Sequence, residues 1–324
     1  MQSGVLRLAF LTAFVFVGVG FLSGKETALF FLSYKGWVWG LVLNCTLTVL
    51  FSGAIITRFQ TKNKTTNFSL SILEKTLSFL IISVTISGSG ELLSYITGFN
   101  KNVCSAIFSI LILLYSFKPL SAVTKTLKLS LPVLLIGLLF CAFLAFYKNG
   151  FKVDLTLNNH PISPFLPNVF VSALTYAGFN SACAISVLKK QNKAYNPPFK
   201  KACSLITMGL ILLILSLLVA VLLLCFKGCL NAELPLVCAI KSLCLPLYIF
   251  ISIVMLLNAF SLASSHLGAL LKTNKITPKI TTILCACGLG FIGFSRLIST
   301  VYPIIGWVGA LVALWFLISN FFTK

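Results

Sequence analysis

Two adjacent charges, Lys25 and Glu26, stand in an otherwise apolar stretch, VFVGVGFLSGKETALFF (15–31), which also holds three glycines and a serine. Each glycine weakens a helix by about 1 kcal/mol, and a charge in hydrocarbon costs several. The segment therefore either reaches water at Lys25 or is broken inside a membrane. A further carboxylate, Glu91, lies in TISGSGELLSYITG (85–98), and the only other acidic residues, Glu74, Asp154 and Glu233, fall at span ends or in loops. An intramembrane carboxylate can take up a proton, bind a cationic substrate or pair with a cation. For Glu91 the favoured reading is a pair with Lys25, which would otherwise stand uncompensated; Lys25 could also pair with Glu26. Near the middle of the chain, NVFVSALTYAGFNSACAISVL (168–188) brings Tyr176, Gly178 and Asn180 together. Tyr176 and Asn180 are four apart and share one face wherever the helix persists between them.

The elements that must hold these groups follow from composition. Of 324 residues 58% are hydrophobic and 9% charged, with a mean hydropathy of +1.04. Apolar runs long enough to cross a bilayer recur between short Lys-rich loops, which indicates an all-α polytopic membrane protein with one membrane-embedded domain over 1–324. The net charge of +20 is spread among loops rather than gathered in a module, which argues against a nucleic-acid partner. Metalloprotease, P-loop and paired intramembrane aspartate motifs are lacking, so neither an enzyme nor an ATP-driven pump is expected, and no cofactor or metal is implied. Most of the eleven cysteines lie in apolar runs, where a thiol acts as a small hydrophobe; Cys225, Cys229, Cys238 and Cys244 cluster around one expected outer loop where a disulfide could form. The stretch after Arg7 is like a secretory leader but lacks a small-x-small cleavage site, so it is expected to be retained.

Ten apolar spans can be counted, at about 5–33, 37–57, 76–97, 103–117, 129–147, 168–188, 202–226, 245–271, 280–295 and 300–322. With the N-terminus inside, seventeen of the 25 Lys and Arg residues fall on the inner side and seven on the outer. That bias predicts a multi-pass protein of the cell membrane with both termini cytoplasmic. Ten spans divide as five plus five. An odd repeat unit makes the second copy upside down, as in many secondary transporters, whose first helix in each copy is often discontinuous. Repeat one would cover about 5–147 and repeat two about 168–322, with helices 1 and 6 broken. The weak points match: Gly18 and Gly20 in span 1, Gly178 in span 6.

An unwound midplane segment exposes N–H and C=O groups that can bind a solute, and Ser23, Tyr176 and Asn180 would add side-chain partners. Glu26 would then sit at the start of a second half-helix, where a carboxylate is favoured. Glycines in membrane helices also allow close packing, so the same residues could mark tight contacts instead.

The segments GVGFLSGKE followed by LFF, and SALTYAGFNSACAISVL, resemble the YkvI-like family of bacterial membrane proteins, within the amino acid–polyamine–cation transporter superfamily. The helix pattern extends that resemblance along nearly the whole chain. Lys25 stands where the family motif has glutamine. The resemblance implies a LeuT-type five-plus-five fold and alternating-access transport of a small solute, an amino acid or related compound, across the bacterial inner membrane. The site would lie between broken helices 1 and 6, formed by Gly18, Gly20, Ser23, Glu26, Glu91, Tyr176, Gly178 and Asn180. It also implies Na+ or H+ as coupling ion. In sodium-coupled relatives the S-x-x-S-S spacing of Ser261, Ser264 and Ser265 coincides with an ion site completed by helix 1 carbonyls, here near Phe14 and Val17. The bland account of those serines is bonding to the preceding turn, and His266 beside them is expected at the membrane interface. An ion channel or a structural membrane subunit is the alternative function, and the sequence leaves the oligomeric state open.

Overall fold

The computed structural model describes residues 2–60, 67–117, 120–149, 164–191, 194, 197–271 and 276–322, and all its regular elements there are helical. Helix α1 spans Gln2–Phe16, followed by short helices α2 (Val19–Leu22) and α3 (Lys25–Thr27) and a π turn over Ala28–Leu32. Long helices follow: α4 (Trp37–Gln60), α5 (Asn67–Thr97), α6 (Lys101–Tyr115), α7 (Leu120–Asn149), α8 (Val169–Gln191) and α9 (Pro198–Cys225). After the short α10 (Pro235–Leu243) come α11 (Leu245–Leu270), α12 (Ile276–Gly290), the one-turn α13 (Phe294–Arg296) and α14 (Tyr302–Phe322). A π turn over Leu297–Val301 joins the last two. Among the described residues six helices are long and apolar enough to cross a membrane, and three more are apolar but shorter: Val5–Phe16, Lys101–Tyr115 and Val169–Ile185. The ten spans counted in the sequence are therefore not all of crossing length. Span 1 is cut short by its break, spans 4 and 9 fold as the 15-residue helices α6 and α12, and in span 6 the apolar part of the longer helix α8 is Val169–Ile185.

Helical hydrogen bonding lapses twice in span 1. At the first lapse Val17 N–H is shared between Ala13 O (3.2 Å) and Phe14 O (3.1 Å), and the ladder restarts with Leu22 N–H on Gly18 O (3.0 Å). At the second, Gly24 takes φ 79°, a left-handed conformation that glycine adopts without a Cβ penalty. The freed Ser23 carbonyl accepts from Leu236 N–H at 2.8 Å, so the first turn of α10 caps the break. The segment before and into α10 is itself stapled by a disulfide between Cys229 and Cys238, and Cys225 and Cys244 take no part in that disulfide.

Span 6 differs from expectation. Helix α8 runs unbroken through Tyr176–Asn180. Gly178 is there for packing: a Cβ on it would run into the backbone of Gly306 and Ala310 on α14, and one on Gly309 would meet Gly178 in return. Small residues let the two helix backbones touch, and the close-packing reading holds at this glycine.

Candidate functional site

Helix α3, after the second lapse in span 1, places Glu26 inside the bundle, where only 3% of the residue is exposed. The Tyr176 hydroxyl on α8 donates to its Oε2. Tyr302 on α14 and Asn180, one turn beyond Tyr176 on the same face of α8, line the cavity beside the carboxylate. Aromatic rings hold the tyrosines in place, with Phe30 at 4.9 Å from Tyr176 and Phe179 stacked at 3.8 Å on Tyr302. Gly20 is what admits the carboxylate, since a methyl there would overlap it. Beside Glu26 lies a cavity of about 30 Å³, bounded by Val15, Phe16 and Gly18 at the break, Thr85 on α5, Asn180 on α8 and Leu262 on α11. Thus Gly18, Glu26 and Asn180 line one small buried space, and Gly20 and Tyr176 lie against the Glu26 carboxylate.

The other expected members do not join them. Ser23 is spent on the turn, its hydroxyl donating to Gly20 O (2.7 Å) and accepting from Lys25 N–H (3.1 Å). Gly178 faces α14. Glu91 pairs with Lys101 at 3.1 Å, at the junction of α5 and α6, and not with Lys25. Lys25, 8% exposed, turns away from Glu26 and donates to Ala232 O at 2.9 Å, with Glu233 as its nearest counter-charge. Glu233 in turn accepts from Ser295 ahead of α14. Lys25 therefore ties the broken helix to the disulfide-stapled segment around Ala232, a role that neither partner expected from the sequence allowed for.

The serine triplet divides. Ser265 donates to Leu262 O (2.8 Å), the ordinary back-bond. Ser261 and Ser264 are buried, and their hydroxyls have no partner among the described residues. Leu262 between them reaches Gly18 at the break, and Phe14 and Val17 are buried just before it. His266 is buried, its Nδ1 3.3 Å from the Ser78 hydroxyl of α5. Tyr302, Thr85 and Phe179 were not legible as site residues. Tyr302 in particular is delivered by the π turn before α14, which resets the helix register.

The separation of the two charges gives a direct expectation. Lys25→Gln and Glu91→Gln should add in an unfolding assay, with a coupling energy within about 0.5 kcal/mol of zero. Glu91 and Lys101 should couple by no more than about 1 kcal/mol, because the Lys101 side chain is 52% exposed and the pair is screened. A large Lys25–Glu91 coupling would contradict the geometry.

No protein-family model matches the chain, and no curated protein matches it in sequence. Solved structures do match. Mhp1, a nucleobase-cation-symport-1 family transporter in a closed conformation with bromovinylhydantoin bound, aligns over 96% of this chain and 71% of its own with a TM-score of 0.57 and 17% identity. The inward-facing conformation of Mhp1 aligns over 94% and 72%, with a TM-score of 0.53 and 12% identity. The chain shares that transporter's LeuT-type fold. With so little identity the likeness concerns architecture, and the chemistry must come from the site itself.

Proposed function

We propose that the protein is a secondary active transporter of a small solute, working by alternating access across the cell membrane, with no catalytic activity. The observation that carries this is the break in span 1: it leaves a buried carboxylate and unwound backbone beside a small central cavity, in a chain with a transporter's fold. The break lies where such folds bind solute and coupling ions. The proposed arrangement is an inverted repeat of five plus five, about 5–147 and 168–322, making ten crossings in one domain, with only helix 1 discontinuous here. Both termini lie in the cytoplasm on this reading. Support comes from the positive-inside bias and from the Cys229–Cys238 disulfide, which then faces the oxidising outer side.

The solute site is assigned to Gly18, Gly20, Glu26, Tyr176 and Asn180, with Tyr302 added and with Glu91, Ser23 and Gly178 set aside. The unpartnered hydroxyls of Ser261 and Ser264, near the carbonyl-bearing end of α1 at Phe14 and Val17, suit a hard cation such as Na+; H+ is the other coupling ion considered. Membership of the YkvI-like family and an amino acid or related compound as solute are carried by the sequence resemblance.

The test is a thermal-stability screen of the purified protein against small solutes, amino acids among them. A transported solute should raise the melting temperature saturably, in line with RT ln(1 + [L]/Kd). An ion channel or a structural subunit would give conductance or nothing, with no stabilising solute.

A further inference from the structure

We propose that Glu26 takes up a proton within the membrane and that this proton is the ion coupled to solute movement; the inference rests on the transporter reading above. The surroundings of the carboxylate lead to it. Among the described residues no lysine, arginine or histidine forms an ion pair with Glu26, and Lys25 beside it in the chain is engaged at Ala232 O. The groups that face it are the Tyr176 hydroxyl and the Cys183 thiol from α8 and the Tyr302 hydroxyl from α14. Helices α5 and α11 contribute Ile81, Val84, Thr85 and Leu262, and α9 packs Leu223 against Gly24, none of which titrates.

An ionised carboxylate held in such a place without a cation is expensive. The Tyr176 hydroxyl, which donates to the carboxylate, offsets part of that cost, and neutralisation removes the rest. The same trio suits both states. Ionised, Glu26 accepts from Tyr176, with Tyr302 beside it in the cavity wall; protonated, its O–H can donate to a tyrosine oxygen, because a phenol can give or take a hydrogen bond. Loading forms one O–H bond at a carboxylate oxygen, breaks none in the protein and cancels one negative charge. Size also decides. A water needs about 10–15 Å³ of such space, so a cavity of about 30 Å³ holds one or two waters to deliver a proton. Among the described residues, polar side chains there are limited to Glu26, Thr85, Asn180, Cys183 and Tyr302, and Ile81, Val84, Phe179 and Leu262 close the rest of the wall with hydrocarbon, fewer oxygens than the about six to eight a hard metal cation such as Ca2+ takes. Because the trio joins the broken helix to α8 and α14, a change in which group donates is felt across three elements at once.

Infrared spectroscopy of the full chain in lipid nanodiscs tests this with the proton itself as probe. With only five acidic residues, the C=O stretch of a protonated carboxyl can be assigned by substitution. The expected result is a band that fades as pH rises, is lost in Glu26→Gln and survives in Glu91→Gln. Should Glu26→Gln fail to fold, Tyr302→Phe keeps the carboxyl and should shift the pH at which the band fades. Absence of the band in the wild type at every pH where it stays folded would overturn the proposal, as would a band indifferent to both variants. The transporter reading fails by a separate route: a Glu26 that titrates in a protein stabilised by no solute would sink the coupling and leave the proton site standing.

Discussion

Replacing Gly178 by alanine is expected to destabilise the bundle severely. The new methyl would lie 2.5 Å from Ala310 N and 2.8 Å from Ala310 Cβ, and would overlap the Gly306 carbonyl. Two of those contacts are backbone, which cannot swing aside, so α8 and α14 would have to separate. Overpacking of this kind costs about 1–3 kcal/mol and at times more, and the upper end is expected where two helix backbones touch. The sign discriminates between the two uses of a glycine. In a helix interior with open space, alanine would stabilise by about 1 kcal/mol. Gly268→Ala is the control, because Gly268 lies inside α11 and its methyl would meet nothing within 4 Å. Unfolding of both variants in mixed micelles should separate them clearly, and a stabilised Gly178→Ala would contradict the packing.

The second large effect is expected at Tyr176. Phenylalanine keeps the ring against Phe30 and Phe31 but removes the hydroxyl that donates to Glu26. Leaving a buried group short of a partner costs about 1–3 kcal/mol. The loss should depend on what it serves: in a Glu26→Gln background, Tyr176→Phe should cost less, giving a coupling energy of at least about 0.5 kcal/mol between the two positions. Purely additive losses in the unfolding cycle would mean that the two side chains do not bond.

How far the sequence foretold this site depends on the range over which each clue acts. Span 1 was legible as a weak helix because Gly18, Gly20 and Gly24 lie within seven residues of one another, and Glu26 because so few acids exist to compete with it. The shared face of Tyr176 and Asn180 follows from helical spacing alone. Gly178 was misread because its meaning lies in Gly306 and Gly309 on another helix, and a glycine that unwinds looks the same in sequence as one that packs. Lys25 finds Ala232 at a separation of 207 residues, beyond any local pattern. Glu91 finds Lys101 just ten residues on, by way of the turn that Gly98 makes with φ 76°; there the nearer partner was overlooked in favour of a remote one. Ser261, Ser264 and Ser265 show the limit of spacing arguments: one hydroxyl bonds its own turn while two, of the same type, do not.

Alternating access itself is tested most directly at Asn180, which lines the central cavity. A single cysteine there, Asn180→Cys, on a background lacking the nine other cysteines but keeping the Cys229–Cys238 disulfide, can be challenged with membrane-impermeant thiol reagents in oriented vesicles. The account predicts slow labelling from each face. Lys25→Ala, which releases the outer segment from the broken helix, should speed labelling from outside and slow it from the cytoplasm, because one population is shifted at the expense of the other. A cysteine at this position reached from neither face, or reached from both with Lys25→Ala changing neither rate, would contradict a site that opens to one side at a time.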